Sequence, residues 1–510
     1  MFEKVLRNST LISLGTLISR LSGLLRVILM AQFFGTCAAL EAFIVAFRLP
    51  NLFRSVLGEG FRDSVAVPML CEHHRDQQRF RELANNLLSI SGVLLLAVSI
   101  LGAAFSRPLV ALTAPGFLAD TEKFILAVSF TRITFFYLFL IGFAVGLDSI
   151  LSAMQKFFIP AVNPAFLNLS FILGIIVLTG KFQYYSLIAA VMVGGVIQVI
   201  FPMIALKRSG FKLVLHPKAA FYDPQIKEMG RLFMPRVASS VVYQLNVMVD
   251  TIFSSLSTVV GAGALAAVSY ASTLIQFPLA MVALPLSRVA TVDLARYHAD
   301  KNEADFKKLV AFSLDGVILL IMPVTFVSLF IPDAIIDVIF KRGAFSDNDL
   351  VMTAWVFASY ALGLIFFCAA KVLNSAFYAL KETKAPMKSA MIALGINFVL
   401  CGILMFPLKI AGVALASTIS GGYSCWYLYQ KLKKKIGAID LSSTRVIFIK
   451  ACLLGLALGV AARLVWVSCH GFNKYLAFGL LCFADGVIFI FGLKLLGFKN
   501  ISSLKEFFKG

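Results

Sequence analysis

Apolar stretches of about 20 residues recur along nearly the whole 510-residue chain with only short polar gaps between them, the length a helix needs to cross about 30 Å of hydrocarbon. Fourteen spans are predicted, over 10–33, 40–68, 84–106, 124–152, 159–179, 184–206, 229–255, 260–292, 309–331, 351–379, 387–406, 410–430, 446–467 and 475–497. Barrel strands are about ten residues of strict alternation, whereas Leu83 to Phe105 is apolar for more than twice that, so the fold class is all-α and polytopic. With 60% hydrophobic and 14% charged residues, a water-soluble chain is excluded. Lys4 and Arg7 precede the apolar run Leu11 to Ile18 as in a signal peptide, but the run continues past Arg20 and Arg26 without a small-residue cleavage pattern. The first segment is therefore expected to be retained.

The net charge of +20 becomes informative once basic residues are sorted by loop. Loops on one side hold 26 Lys and Arg, such as Arg75, Lys207, Arg208 and Lys433 to Lys435, against 7 on the other, such as Arg107, Lys123 and Lys409. By the positive-inside rule both termini are cytoplasmic. The same charges have no recognition motif around them, so no nucleic-acid partner is expected. The eight cysteines are scattered without a C-x-x-C pair and read as small core residues, neither a disulfide framework nor a metal site.

Shifting the chain by about 226 residues reveals a repeat. Leu147-Asp148-Ser149 aligns with Leu373-Asn374-Ser375, Pro160 with Pro386, Lys207-Arg208 with Lys433-Lys434, and Phe80 to Leu83 with Phe306 to Leu309. Each copy holds six spans, so the copies enter the membrane in the same direction, related by an axis along its normal. The expected organisation is a six-helix lobe over 1–210, a cytoplasmic linker over 211–228, a second six-helix lobe over 229–437, and two further helices with a tail over 438–510. Paired lobes of this kind suit alternating access in a transporter, although fold does not fix function.

Charges inside the first lobe are unusually dense: Arg20 and Arg26 in span 1, and Glu41, Arg48, Arg54 and Glu59 in span 2. Groups of this kind at bilayer depth face a cavity or a partner. One reading is an internal network, Arg20 or Arg26 with Glu41 and Arg54 with Glu59. The other starts from four arginines against two acids, a surplus that calls for an anion, and the planar Arg fork suits phosphate. Arg20 and Arg26 lie about 120° apart around an ideal helix, which favours a bend near Gly23. Leu49-Pro50-Asn51 predicts a kink whose freed carbonyls face substrate or water. In the second lobe Asp250 and Asn397 are candidates either for Na+ ligation or for a plain helix–helix hydrogen bond.

Ser19-Arg20-x-x-Gly23-x-x-Arg26, Phe34-Gly35, Glu41-Ala42-Phe43, Phe47-Arg48-Leu49-Pro50-Asn51-Leu52-Phe53-Arg54, Gly58-Glu59-Gly60 and Val67-Pro68 together resemble the N-terminal signature of the MurJ/MviN lipid II flippase family. Ala114-Pro115-Gly116-Phe117 and Phe277-Pro278 extend the resemblance over essentially the whole chain. It implies a two-lobed exporter fold and movement of undecaprenyl-diphosphate-linked disaccharide-pentapeptide between leaflets of the bacterial cytoplasmic membrane. Arg20, Arg26 and Arg54 would face the diphosphate, with Glu41 and Glu59 as acidic partners; Glu41 stands where the family usually has Asp.

Two departures stand out. Thr273 occupies a place where the family commonly has arginine. Some members bind sodium; here Asp250, Asn397 and Ser417 or Thr418 match that pattern, but Cys401 replaces its second acid. Expected partners are the lipid-linked substrate, membrane lipids and cell-wall synthesis proteins, and no resident cofactor is expected. No G-x-x-x-x-G-K-[ST] sequence occurs, so ATP is not the expected direct driver. The rival readings are an exporter of another diphosphate-linked oligosaccharide and a non-catalytic scaffold for wall synthesis. An enzyme would need a nucleophile, acid–base or metal cluster, and the sequence offers none.

Overall fold

A computed structural model describes residues 2–55, 61–62, 65–73, 75–469 and 473–495, with side chains left aside at 2–14, 16, 55, 219, 235–243 and 495. The chain forms two compact units, one of residues 1–266 with 342–346 and one of 267–341 with 347–510.

In the first unit the order is α1 (Phe2–Phe34), α2 (Ala38–Ser55), α3 (Val67–Glu72), α4 (Gln77–Ala104), α5 (Ser106–Thr113), α6 (Thr121–Ala153), α7 (Phe158–Phe182), α8 (Tyr185–Arg208), α9 (Pro217–Tyr222), α10 (Pro224–Ser254) and α11 (Ser257–Val260). The start of α12 (Ala264–Pro278) also belongs to it. The second unit continues with α13 (Leu284–Ala299), α14 (Glu303–Phe330), α15 (Pro332–Phe340), α16 (Asp347–Ala361), α17 (Leu364–Ala379), α18 (Lys384–Ile436), α19 (Ser442–Ser468) and α20 (Lys474–Leu495).

Among the described residues ten helices are long and apolar enough to cross a membrane, or eleven when α16 and α17 are taken as one span bent by 41°. Helix α18 contains two of the expected spans, because Pro407 removes a donor and Lys409 turns the chain at φ 50° and ψ −134°. The spans expected over 40–68 and 229–255 fall short by composition: α2 carries Glu41, Arg48 and Arg54, and α10 carries a charged first half. The chain is a multi-pass, all-α membrane protein.

Side-chain caps fix several helix starts. Asp76, Asp120, Asp223 and Asn302 each accept a backbone N–H one to two residues into α4, α6, α10 and α14, worth about 1 kcal/mol apiece. Between spans, where lipid removes the hydrophobic drive, small residues permit close approach. In the first unit a Cβ on Gly174 of α7 would lie 2.8 Å from that of Ala190 on α8. In the second, Gly455 and Gly459 of α19 form a four-residue step into which Phe326 and Phe330 of α14 fit; added Cβ atoms would meet those rings at 2.6 and 2.7 Å.

Candidate functional site

Helix α1 runs unbroken through Gly23, so the bend expected there is not a break in the helix. The glycine instead lets α7 close in: the Asn168 amide donates to the Ser19 carbonyl at 2.9 Å and to the Ser22 hydroxyl at 3.2 Å, and would stand 3.4 Å from a Cβ on Gly23. That clasp fixes the rotation of α1 one turn before Arg26.

Arg26 is half-buried, its guanidinium carbon 5.1 Å from the centre of the Phe171 ring. Phe171 belongs to an aromatic box with Phe43, Phe47 and Tyr137, whose ring centres lie 5.6 to 6.1 Å apart from their neighbours. The π face is a weak partner for a cation, and the buried Arg26 Nε has no hydrogen-bond acceptor among the described residues. Arg54, also half-buried, directs its Nε to Asn51 Oδ1 at 2.8 Å. The charge of Arg54 acts on Arg26, and both act on the buried Tyr137 hydroxyl. Among the described residues no carboxylate lies within ion-pair distance of either. Arg20, on the same helix as Arg26, is exposed.

Arg48 points elsewhere in the first unit. It donates to the Thr251 hydroxyl and to the Val247 carbonyl at 3.5 Å, bordering a pocket with Val45, Leu49, Thr113 and Met248.

Glu41 corrects the expected network. It is buried and pairs with Lys123 at the start of α6, not with Arg20 or Arg26, and its second oxygen accepts the Leu265 N–H at 2.8 Å. Lys123, read from the sequence as a loop cation, is itself buried, 4.2 Å from the centre of the Phe117 ring. The pair ties α2, α6 and the start of α12 together. Glu59 lies outside the described residues.

The carbonyl freed by Pro50 is also taken. Pro50 has no N–H for the Ala46 oxygen four residues back, and Thr134 of α6 supplies a hydroxyl to it at 2.9 Å.

The candidate sodium ligands fall in different units, Asp250 in the first and Asn397 and Thr418 in the second. Asn397 Oδ1 accepts from Ser417 at 3.3 Å and from the Cys401 thiol at 3.6 Å, while Thr418 donates to the Ser359 carbonyl at 2.7 Å. Within the second unit these are hydrogen bonds among side chains and backbone, one of them from a thiol. Thr273, at the position of the family arginine, bonds back to its own helix through Ser269 O at 2.9 Å.

Sequence reasoning missed Phe171, Tyr137, Thr134 and Lys123, each brought in from α6 or α7. Nothing in local spacing signals them: Lys123 is 82 residues from Glu41.

Comparison with known proteins agrees with the fold. A solved lipid II flippase MurJ in an inward closed conformation superposes with TM-score 0.81 at 24% identity, over 96% of this chain and 100% of that one. An inward-facing multidrug resistance MATE family transporter superposes with TM-score 0.65 at 15% identity, over 83% of this chain and 96% of the other, a likeness of fold alone. A probable lipid II flippase MurJ from Buchnera aphidicola subsp. Acyrthosiphon pisum is 30% identical over 96% of this chain and 97% of its own length; one from Aquifex aeolicus is 32% identical over 84% of each. The profile of the family described as Lipid II flippase MurJ matches residues 30–483, and the chain belongs to that family.

Proposed function

We propose that this chain is a lipid II flippase that works by alternating access, with Arg26 and Arg54 as the groups that meet the diphosphate. It is a transporter, not an enzyme. The reading rests on one observation: among the described residues, two half-buried guanidinium groups of the first unit have no carboxylate within ion-pair distance, and Arg26 Nε has no acceptor. Two cations with no carboxylate beside them among the described residues gain from an anion, and a diphosphate satisfies several of their donors at once. Arg20, exposed on the same helix, adds a cation at its approach. Arg48 and Glu41 are support: one donates to Thr251, the other pairs with Lys123. The polyprenyl tail stays in lipid while the head group crosses.

In keeping with the loop charges, the chain sits in the bacterial cytoplasmic membrane with both termini inside, next to proteins that make and consume wall precursors. No step is routed through sodium. The test is complementation of a flippase-depleted bacterium. The wild-type chain restores growth, Arg26→Ala and Arg54→Ala do not at equal membrane abundance, and Arg26→Lys restores it only weakly because an ammonium lacks the bidentate fork. Normal growth with either alanine variant overturns the assignment.

A further inference from the structure

The first unit also buries an ionisable group with no part in the Glu41–Lys123 pair or in the arginine site. Asp148, in the last turns of α6, is 4% exposed. Its Oδ2 accepts the Asn163 amide of α7 at 2.7 Å, whereas its Oδ1 is buried with no hydrogen-bond partner among the described residues. No basic side chain among them stands within ion-pair distance. Arg62 is the charged group that acts on Asp148; α3 and α4 bring apolar Met69, Leu70, Leu87 and Leu88 to the core shared with Leu147 and Leu151. A carboxylate placed so is costly to leave charged, and a proton on the bare oxygen removes the charge.

The internal repeat supplies a comparison. Asn374 occupies the matching place in the second unit, and its Oδ1 likewise has no partner among the described residues. Both units therefore accept an unbonded oxygen at this site, but only the carboxyl of Asp148 can gain and lose a proton.

Asp148 is also wired to the arginine site. Gln198 of α8 donates to the Asn163 carbonyl at 3.1 Å, and Tyr137 donates to Gln198 Oε1 at 3.2 Å. Tyr137 lies in the fields of both Arg26 and Arg54.

We propose that Asp148 is a reversible proton-binding site that couples transport to a proton gradient. Its Oδ1 forms an O–H bond with a proton taken from water on one side of the membrane. The same bond breaks to return that proton to water on the other side as the transporter cycles. Coupling to lipid movement rests on the flippase reading; protonation of the carboxyl does not.

Two measurements on the full chain in proteoliposomes test this. Infrared difference spectra between acid and alkaline pH should show a protonated-carboxyl C=O band that Asp148→Asn lacks and that Asn163→Leu, which removes the hydrogen bond to Oδ2, shifts in frequency. Movement of fluorescent lipid II should change about fivefold or more with an imposed pH gradient, the lower end of ordinary coupling. Asp148→Asn should flip at the wild-type rate without a gradient and ignore one, and Asp148→Glu should respond. A band that persists unchanged in Asp148→Asn, a wild-type rate indifferent to the gradient, or a gradient response retained by Asp148→Asn overturns the proposal. Failure of the wild-type chain to move lipid II at all strikes the flippase reading instead and leaves the infrared test standing.

Discussion

Removing Lys123 separates a structural role for Glu41 from a substrate-binding one. The side chains of Lys123 and Glu41 are 6% and 3% exposed, so the pair belongs with buried ion pairs rather than surface ones. An exposed pair is worth at most about 1 kcal/mol. Deleting one partner of a buried pair costs about 3–5 kcal/mol, because the other charge stays behind without compensation. In Lys123→Met, Glu41 keeps the backbone N–H groups of Leu265, at 2.8 Å, and Ala266, which do not neutralise it. The double variant Glu41→Gln/Lys123→Met removes both charges and retains an acceptor for Leu265, so it should recover to within about 1 kcal/mol of wild type. Reversible unfolding in mixed micelles measures all four corners of the cycle. The double variant should also flip lipid II at the wild-type rate. A Lys123→Met loss below about 1 kcal/mol refutes the buried-pair argument. A stable double variant that cannot flip restores Glu41 to the substrate site.

Three further outcomes follow from the geometry. Thr134→Val should cost about 1–3 kcal/mol by leaving the Ala46 carbonyl unsatisfied, and less in a Pro50→Ala background, where the residue-50 N–H returns; equal losses in unfolding assays would contradict the exchange. Gly116→Ala should destabilise the first unit by about 1–3 kcal/mol in the same unfolding assay, since its Cβ would stand 2.1 Å from the Ser255 backbone oxygen; unchanged stability would contradict that contact. Burial pushes the Asp223 carboxyl up, but hydrogen bonds from Asn86 and the Gln225 N–H, with the Arg79 charge, outweigh it and hold it below the usual carboxylate range. Its folded value being depressed, the stabilisation is complete well above the unfolded value of about 3.9 and is lost as pH falls below that. The thermal-stability gap between wild type and Asp223→Asn should therefore close on acidification, and a gap that widens would contradict the sign.

The repeating apolar runs made the all-α, multi-pass class legible, because lipid leaves the backbone few alternatives to a helix. Even the break at Lys409 was visible as a gap between predicted spans, although no end of α18 marks it. Arg26 and Arg54 stand out in the sequence for a related reason, as charges on segments otherwise written for hydrocarbon. What could not be read was who answers whom. Glu41 stands 21 residues from Arg20 and 15 from Arg26 in sequence, yet its partner comes from α6, because helix rotation decides which faces meet. The same applies to Pro50: sequence shows the missing N–H but not the Thr134 hydroxyl that replaces it. Arg26 gave no sign of its Phe171 platform, since one more phenylalanine among 48 carries no signal.

The buried Glu41–Lys123 pair also sets a schedule for biogenesis. Helix α2 emerges from the ribosome 82 residues ahead of the lysine that answers its glutamate, an interval of about 4–16 s at ordinary synthesis rates. Through that interval a segment bearing Glu41, Arg48 and Arg54 lacks the lysine that answers Glu41, so its lateral release into lipid should wait for α6. Nascent chains halted before Lys123 should leave α2 beside the translocon, and chains halted after α6 should release it.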